Sequence, residues 1–164
     1  MLEQCKTKKE RWGRVDQIVN GWLEERSQLL IKYCGLSKTL AEVFEKQSEG
    51  KKAKQGAKEL DDFCQILMDY MCAGHFEVFD QLLDEAEAFA DGGLEFAAGL
   101  YPKIEQTTTI AVAFNDNYDG CGGARVRSAE LQTDLSALGE SLSSRFDLED
   151  KLLDHLHFKH KTVA

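Results

Sequence analysis

The chain has 164 residues, 43% hydrophobic and 30% charged, and a formal net charge of −9. That length suits a single domain, 1–164, burying its own core, and a sequence pI of about 4.9 disfavours direct contact with nucleic acid. No window approaches the roughly 18 apolar residues of a membrane span, and the charged start MLEQCKTKKERWGRV lacks the apolar core of a signal peptide; a cytoplasmic protein with no membrane contact is expected.

One proline and abundant Leu, Ala, Glu, Lys and Gln predict an all-α fold, because these residues lose little on becoming helical. Five cysteines, odd in number and without CxxC spacing, suit reduced thiols better than a disulfide framework or a zinc site. Cys64 and Cys72 are expected in or near the core.

The first helix is predicted over Glu3 to Tyr33, where Trp12, Val15, Val19, Trp22, Leu29 and Tyr33 recur at helical spacing. Gly35 is its expected stop. The pattern then weakens, with a short helix predicted over Leu40 to Gln47 and a basic loop at 48–58. The four lysines of that loop, Lys51, Lys52, Lys54 and Lys58, read as a solvated surface able to touch an anion.

A second helix is predicted from about Ala57, with Leu60, Phe63, Cys64, Leu67 and Met71 inward, ending at Ala73-Gly74, where Gly74 takes a left-handed cap. A third follows at once, with Phe76, Phe79, Leu82, Leu83, Ala86 and Phe89 inward, and stops at Asp91-Gly92-Gly93.

The fourth helical region spans Leu94 to Tyr118, with a kink or break expected near Gly99 to Pro102. A glycine-rich loop at 119–127 leads to the last helix, Ser128 to about His157, striped by Leu131, Leu135, Leu138, Leu142, Phe146, Leu152, Leu153 and Leu156. Residues 158–164 are expected to fray. Long helices and short connections predict an antiparallel bundle of about four main helices with a short or split extra one.

Charge is distributed unevenly. Glu59 to Pro102 carries eleven acidic residues and no Lys or Arg, while the remaining acidic residues nearly balance the twenty basic ones. Within that stretch Asp62 and Asp69 lie seven apart, about 20° off alignment on a helix, and share a face with Gln65, Ile66 and Ala73. An acidic face holding an apolar residue fits a protein-binding surface, and equally an ordinary solvated face. On the last helix Arg145 and Glu149 fall on leucine-seam positions, where an i,i+4 ion pair is expected.

Enzymatic signatures are missing. There is no GxSxG, no GxxxxGK[ST] and no HExxH, and no histidine is the fourth residue of a Glu-x-x-His. His75 reads as a capping or packing residue, and His155, His157 and His160 crowd the C-terminus. No cofactor is expected. The alternative is a metal- or small-ligand-binding bundle with His75, Glu149 and nearby acids as ligands.

Four segments carry a resemblance: ERWG (Glu10 to Gly13), WLEERSQLL (Trp22 to Leu30), ELDDFCQILMDYMCAGHFEVFDQLL (Glu59 to Leu83) and RFDLEDKL (Arg145 to Leu152). Spread over nearly the whole chain, they resemble the Rsd/AlgQ family, regulators of sigma D, with MLEQC…ERWG and FNDNYDG…C nearer the AlgQ branch. The resemblance implies a non-enzymatic helical anti-sigma factor that binds region 4, the C-terminal domain of the primary sigma factor of bacterial RNA polymerase. That contact competes with the promoter −35 element and core polymerase. It places Asp69 at the sigma-binding surface, and by helical geometry Asp62, Gln65, Ile66 and Ala73 join it. Trp12, Trp22 and Tyr70 are left as core or partner residues. A monomer or weak homodimer is expected.

Overall fold

The computed structural model describes residues 7–46, 50–122 and 125–163. Five α-helices make up most of it: α1 (Lys8–Lys46), α2 (Gly50–Ala73), α3 (Phe79–Phe89), α4 (Gly93–Tyr118) and α5 (Ala129–Leu156). A π-helical turn, Gly74–Val78, joins α2 to α3 without a break, and a 3-10 helix, Phe158–Thr162, follows α5. Four long helical segments therefore form the all-α bundle. No helix among the described residues is long and apolar enough to cross a membrane.

α1 outruns its expected end. Gly35 lies exposed within it, and the helix continues because Leu36, Leu40 and Val43 carry the buried stripe onward; their burial outweighs the roughly 1 kcal/mol a mid-helix glycine costs. The segment expected as a separate helix over Leu40 to Gln47 is thus the end of α1 as far as Lys46. Its expected start at Glu3 lies outside the described residues.

The basic loop is also corrected. From Gly50 onward it is the first two turns of α2, where Ala53 and Gly56 are buried; Ser48 and Glu49 lie outside the described residues. A Cβ on Gly56 would crowd Val126 and Leu40, so these small residues let the start of α2 lie against α1.

Gly74 is not a left-handed cap. It stays right-handed and buried in the π turn, and a Cβ there would sit 3.1 Å from Trp22 Cζ2. The glycine serves close approach to the Trp22 ring. α3 instead ends on Ala90, whose φ of 48° makes it the left-handed residue, with Gly92 before α4. α4 runs unbroken across Pro102, whose lost donor concerns the carbonyl of exposed Ala98.

α5 begins where expected, with Ser128 Oγ accepting the Leu131 N–H at 3.2 Å as N-cap. The tail is corrected: residues 158–162 are helical and His160 is buried. The principal packings are α1 on α2 and α4 on α5, closed by α2 on α4 and α1 on α5.

Candidate functional site

α2 separates its residues by face. Leu60, Phe63, Cys64, Leu67, Tyr70 and Met71 are buried, and the opposite side carries Gln65 and Asp69 exposed with Asp62, Ile66 and Ala73 half-buried. Gln65 Nε2 donates to Asp69 Oδ1 at 2.9 Å. Ile66 packs partly onto the core. The five residues singled out in the sequence therefore do share one face, although Asp62, Ile66 and Ala73 reach solvent only in part.

Three features of this surface were not read from the sequence. Phe76, expected inward, is 80% exposed; positions 65, 69, 72 and 76 succeed one another at four, three and four residues, so the spacing from Asp69 held the signal. Cys72, on the same line, is exposed rather than near-core, whereas Cys64 is buried as expected. The third is a wall from α1: Glu24, Glu25 and Gln28 line a groove of about 220 Å³ with Ile66, Asp69 and Tyr70. All three belong to the WLEERSQLL segment. Glu25 is held above the usual carboxylate range by partial burial first, then by the charges of Asp69 and Glu77.

Beneath the surface a polar network fixes α2 in place. Trp22 stacks on Tyr70 with ring centroids 4.9 Å apart, and its Nε1 donates to the Tyr70 carbonyl at 3.3 Å. Tyr70 Oη donates to Glu149 Oε2 at 2.5 Å and accepts from Arg26 Nε at 3.1 Å. Arg26 also reaches Glu149 at 2.9 Å and Asp150 at 2.6 Å. Burial, then the neighbouring Glu149 charge, pushes the Tyr70 phenol up. Trp22 and Tyr70 thus belong to the core, and half-buried Trp12 stacks on His157.

The expected Arg145–Glu149 pair is present and buried, Nε to Oε1 at 2.6 Å. Arg145 Nη1 also donates to Thr107 Oγ1 at 3.1 Å and Thr108 Oγ1 at 2.6 Å. His75 meets Thr108 Oγ1 at 2.8 Å and packs edge-on against Phe79. Burial first, then the Arg145 charge, lowers the His75 pKa. His75 and Glu149 are not convergent ligands, since Arg145 stands between them. Among the described residues no group of His, Cys, Asp and Glu is placed to hold a metal ion.

The outer side of α2 thus combines exposed carboxylate and amide groups with half-buried apolar ones, a composition found in protein-binding surfaces and in solvated helix faces alike. The family model described as regulator of RNA polymerase sigma(70) subunit, Rsd/AlgQ, matches residues 1–157. Among similar proteins, the Regulator of sigma D of Salmonella newport (strain SL254) is 35% identical over 160 residues, covering 93% of this chain and 90% of that protein. The Regulator of sigma D of Yersinia enterocolitica serotype O:8 / biotype 1B is 30% identical over 153 residues, covering 93% and 88%. The chain belongs to the Rsd/AlgQ family of regulators of the RNA polymerase sigma(70) subunit.

Proposed function

We propose that this protein is an anti-sigma factor that binds region 4 of the primary sigma factor through the outer face of α2 and blocks its contacts with the −35 element and core RNA polymerase. The observation that carries this reading is the exposure of Asp69 on α2, in a groove with Glu24 and Glu25 of α1, together with exposed Phe76 on the π turn that continues α2. Region 4 reads DNA with a basic helix-turn-helix, whose cationic surface meets phosphates. Carboxylates at Asp62 and Asp69 occupy that surface in their place, and Phe76 supplies a desolvated aromatic anchor of the kind that dominates binding energy. Gln65 holds the Asp69 carboxylate in position, while Ile66 and Ala73 give apolar contact. Family membership supports the sigma factor as partner.

Calorimetry with isolated region 4 tests the site. Asp69→Lys weakens binding by about 2 kcal/mol or more and Phe76→Ala by about 2 kcal/mol, with unchanged circular dichroism in both. Wild-type affinity in both variants removes this face from the interface.

A further inference from the structure

The proposed site borders a second feature that it does not use. Along α1 the residues Gly21, Glu24, Gln28, Ile31, Gly35 and Lys38 follow a three-four spacing, the seam pattern of one helix lying along another, and every one is exposed. Ile31 is 63% exposed at the middle of this line. Gly21 and Gly35 have nothing within 4 Å of a Cβ position, so no packing inside the chain accounts for two helix-weakening glycines on the same stripe. Close approach of a second backbone accounts for both.

The seam itself is polarised, with Glu24 in its N-terminal half and Lys38 in its C-terminal half. The first adjoins Asp69 in the groove formed with Glu24 and Glu25, and the second lies in a groove of about 520 Å³ where Lys32, Lys38 and Lys52 stand with Glu42 and Glu59. Lys52 is paired with Glu42, whereas Lys32 and Lys38 make no ion pair among the described residues.

We propose that two copies of this chain pair through the α1 seam, antiparallel about a two-fold axis at Ile31. In that register residues whose numbers are symmetric about 31 face each other, as an isologous contact requires. Ile31 meets Ile31 of the second copy, Glu24 of each copy faces Lys38 of the other, and Ser27 faces Gly35, which leaves room for the backbones to close. Opposite charges at both ends favour the antiparallel arrangement; a parallel one sets Glu24 against Glu24 and Lys38 against Lys38. From Gly21 to Ala41 the contact is about 30 Å long, flanked by the α2 side chains of both grooves.

Pairing covers Glu24 and Gln28 and closes the groove beside Ile66 and Asp69, so the dimer and the sigma-bound monomer exclude each other. That consequence rests on the proposed function; the dimer itself does not. Linkage then ties sigma binding to the concentration of this protein, with the dimer as the resting form.

Sedimentation equilibrium of the full chain tests the pairing. The wild-type mass rises from 18.4 kDa towards twice that value between about 1 and 300 μM, the range of a modest interface, and Ile31→Glu stays monomeric throughout. Glu24→Lys and Lys38→Glu each weaken association about tenfold, and the Glu24→Lys/Lys38→Glu double variant regains it to within about threefold by restoring opposite charges. A wild type that remains at 18.4 kDa, or a double variant no better than the singles, overturns the pairing. Isolated region 4 added to the dimer is expected to yield one-to-one complexes. A dimer that binds region 4 without dissociating overturns the exclusion and leaves the pairing intact; an Ile31→Glu monomer that fails to bind region 4 counts against the proposed function alone.

Discussion

Arg145 is among the largest fully buried side chains of the described residues, and its guanidinium is held by Glu149, Thr107 and Thr108. Burial raises the Glu149 pKa even against the pull of Arg145, Tyr70 and Arg26, so the partners offset only part of what it costs to bury this charge. Arg145→Met is therefore expected to destabilise the fold by about 3 kcal/mol or more. The Arg145→Met/Glu149→Met double variant should lose about 1–3 kcal/mol less than the two single losses together. Urea unfolding followed by circular dichroism checks both. The pair itself was legible, because two charges four apart interrupted a leucine seam. Arg26 and Tyr70 were not, since they come from α1 and α2 and no local spacing joins them to α5.

Between elements, the C-terminal 3-10 helix differs most from its expectation of a frayed tail. His157 presents Nδ1 to Glu85 at 2.7 Å and Nε2 to Asp16 at 3.1 Å, while His160 presents Nδ1 to the other Glu85 oxygen at 2.8 Å and Nε2 to Asp91 at 2.8 Å. Only a ring protonated on both nitrogens donates to two carboxylates. Burial opposes the charged His157 ring, but hydrogen bonds to Glu85 and Asp16 prevail and raise its pKa above 6.5. A raised folded pKa stabilises fully below the unfolded value, and this contribution is lost as pH rises through the folded value. The midpoint of urea unfolding should accordingly fall between pH 6 and pH 8.5, and His157→Gln should flatten that fall. Equal midpoints for the wild type at both pH values would show that the clamp adds nothing. The tail escaped a reading by periodicity because polar side chains anchor it and their carboxylates lie on α1, on α3 and in the turn after α3.

For the molecule as a whole, the acid-only stretch divides by environment. Glu85 is consumed in the histidine clamp, and hydrogen bonds from Lys159 and His160 hold Asp91 down at about 2; Asp61 accepts the Gly120 N–H at 2.9 Å and ties down the glycine-rich loop. Asp80, Asp84 and Glu87 remain exposed on α3. Charges outside a contact act on encounter more than on residence. The Asp80→Asn/Asp84→Asn/Glu87→Gln variant is expected to slow association with region 4 roughly threefold to tenfold at low salt. Stopped-flow measurements should find its dissociation rate unchanged and the difference gone near 1 M salt, where the Debye length is about 3 Å.

Composition and periodicity by themselves determined the all-α class, the inward stripes of α2 and α5, and the shared face of Asp62, Gln65, Ile66, Asp69 and Ala73, because side-chain direction on a helix follows from spacing alone. Tertiary structure decided whether a glycine ends a helix or admits a neighbour. At Gly35 the buried leucines beyond it carry the helix on, and at Gly74 the Trp22 ring needs the space. It also decided which way Phe76 points. An aromatic residue in a helical pattern is read as core until the packing of Trp22, Phe79 and Tyr101 around the π turn fills that core without it.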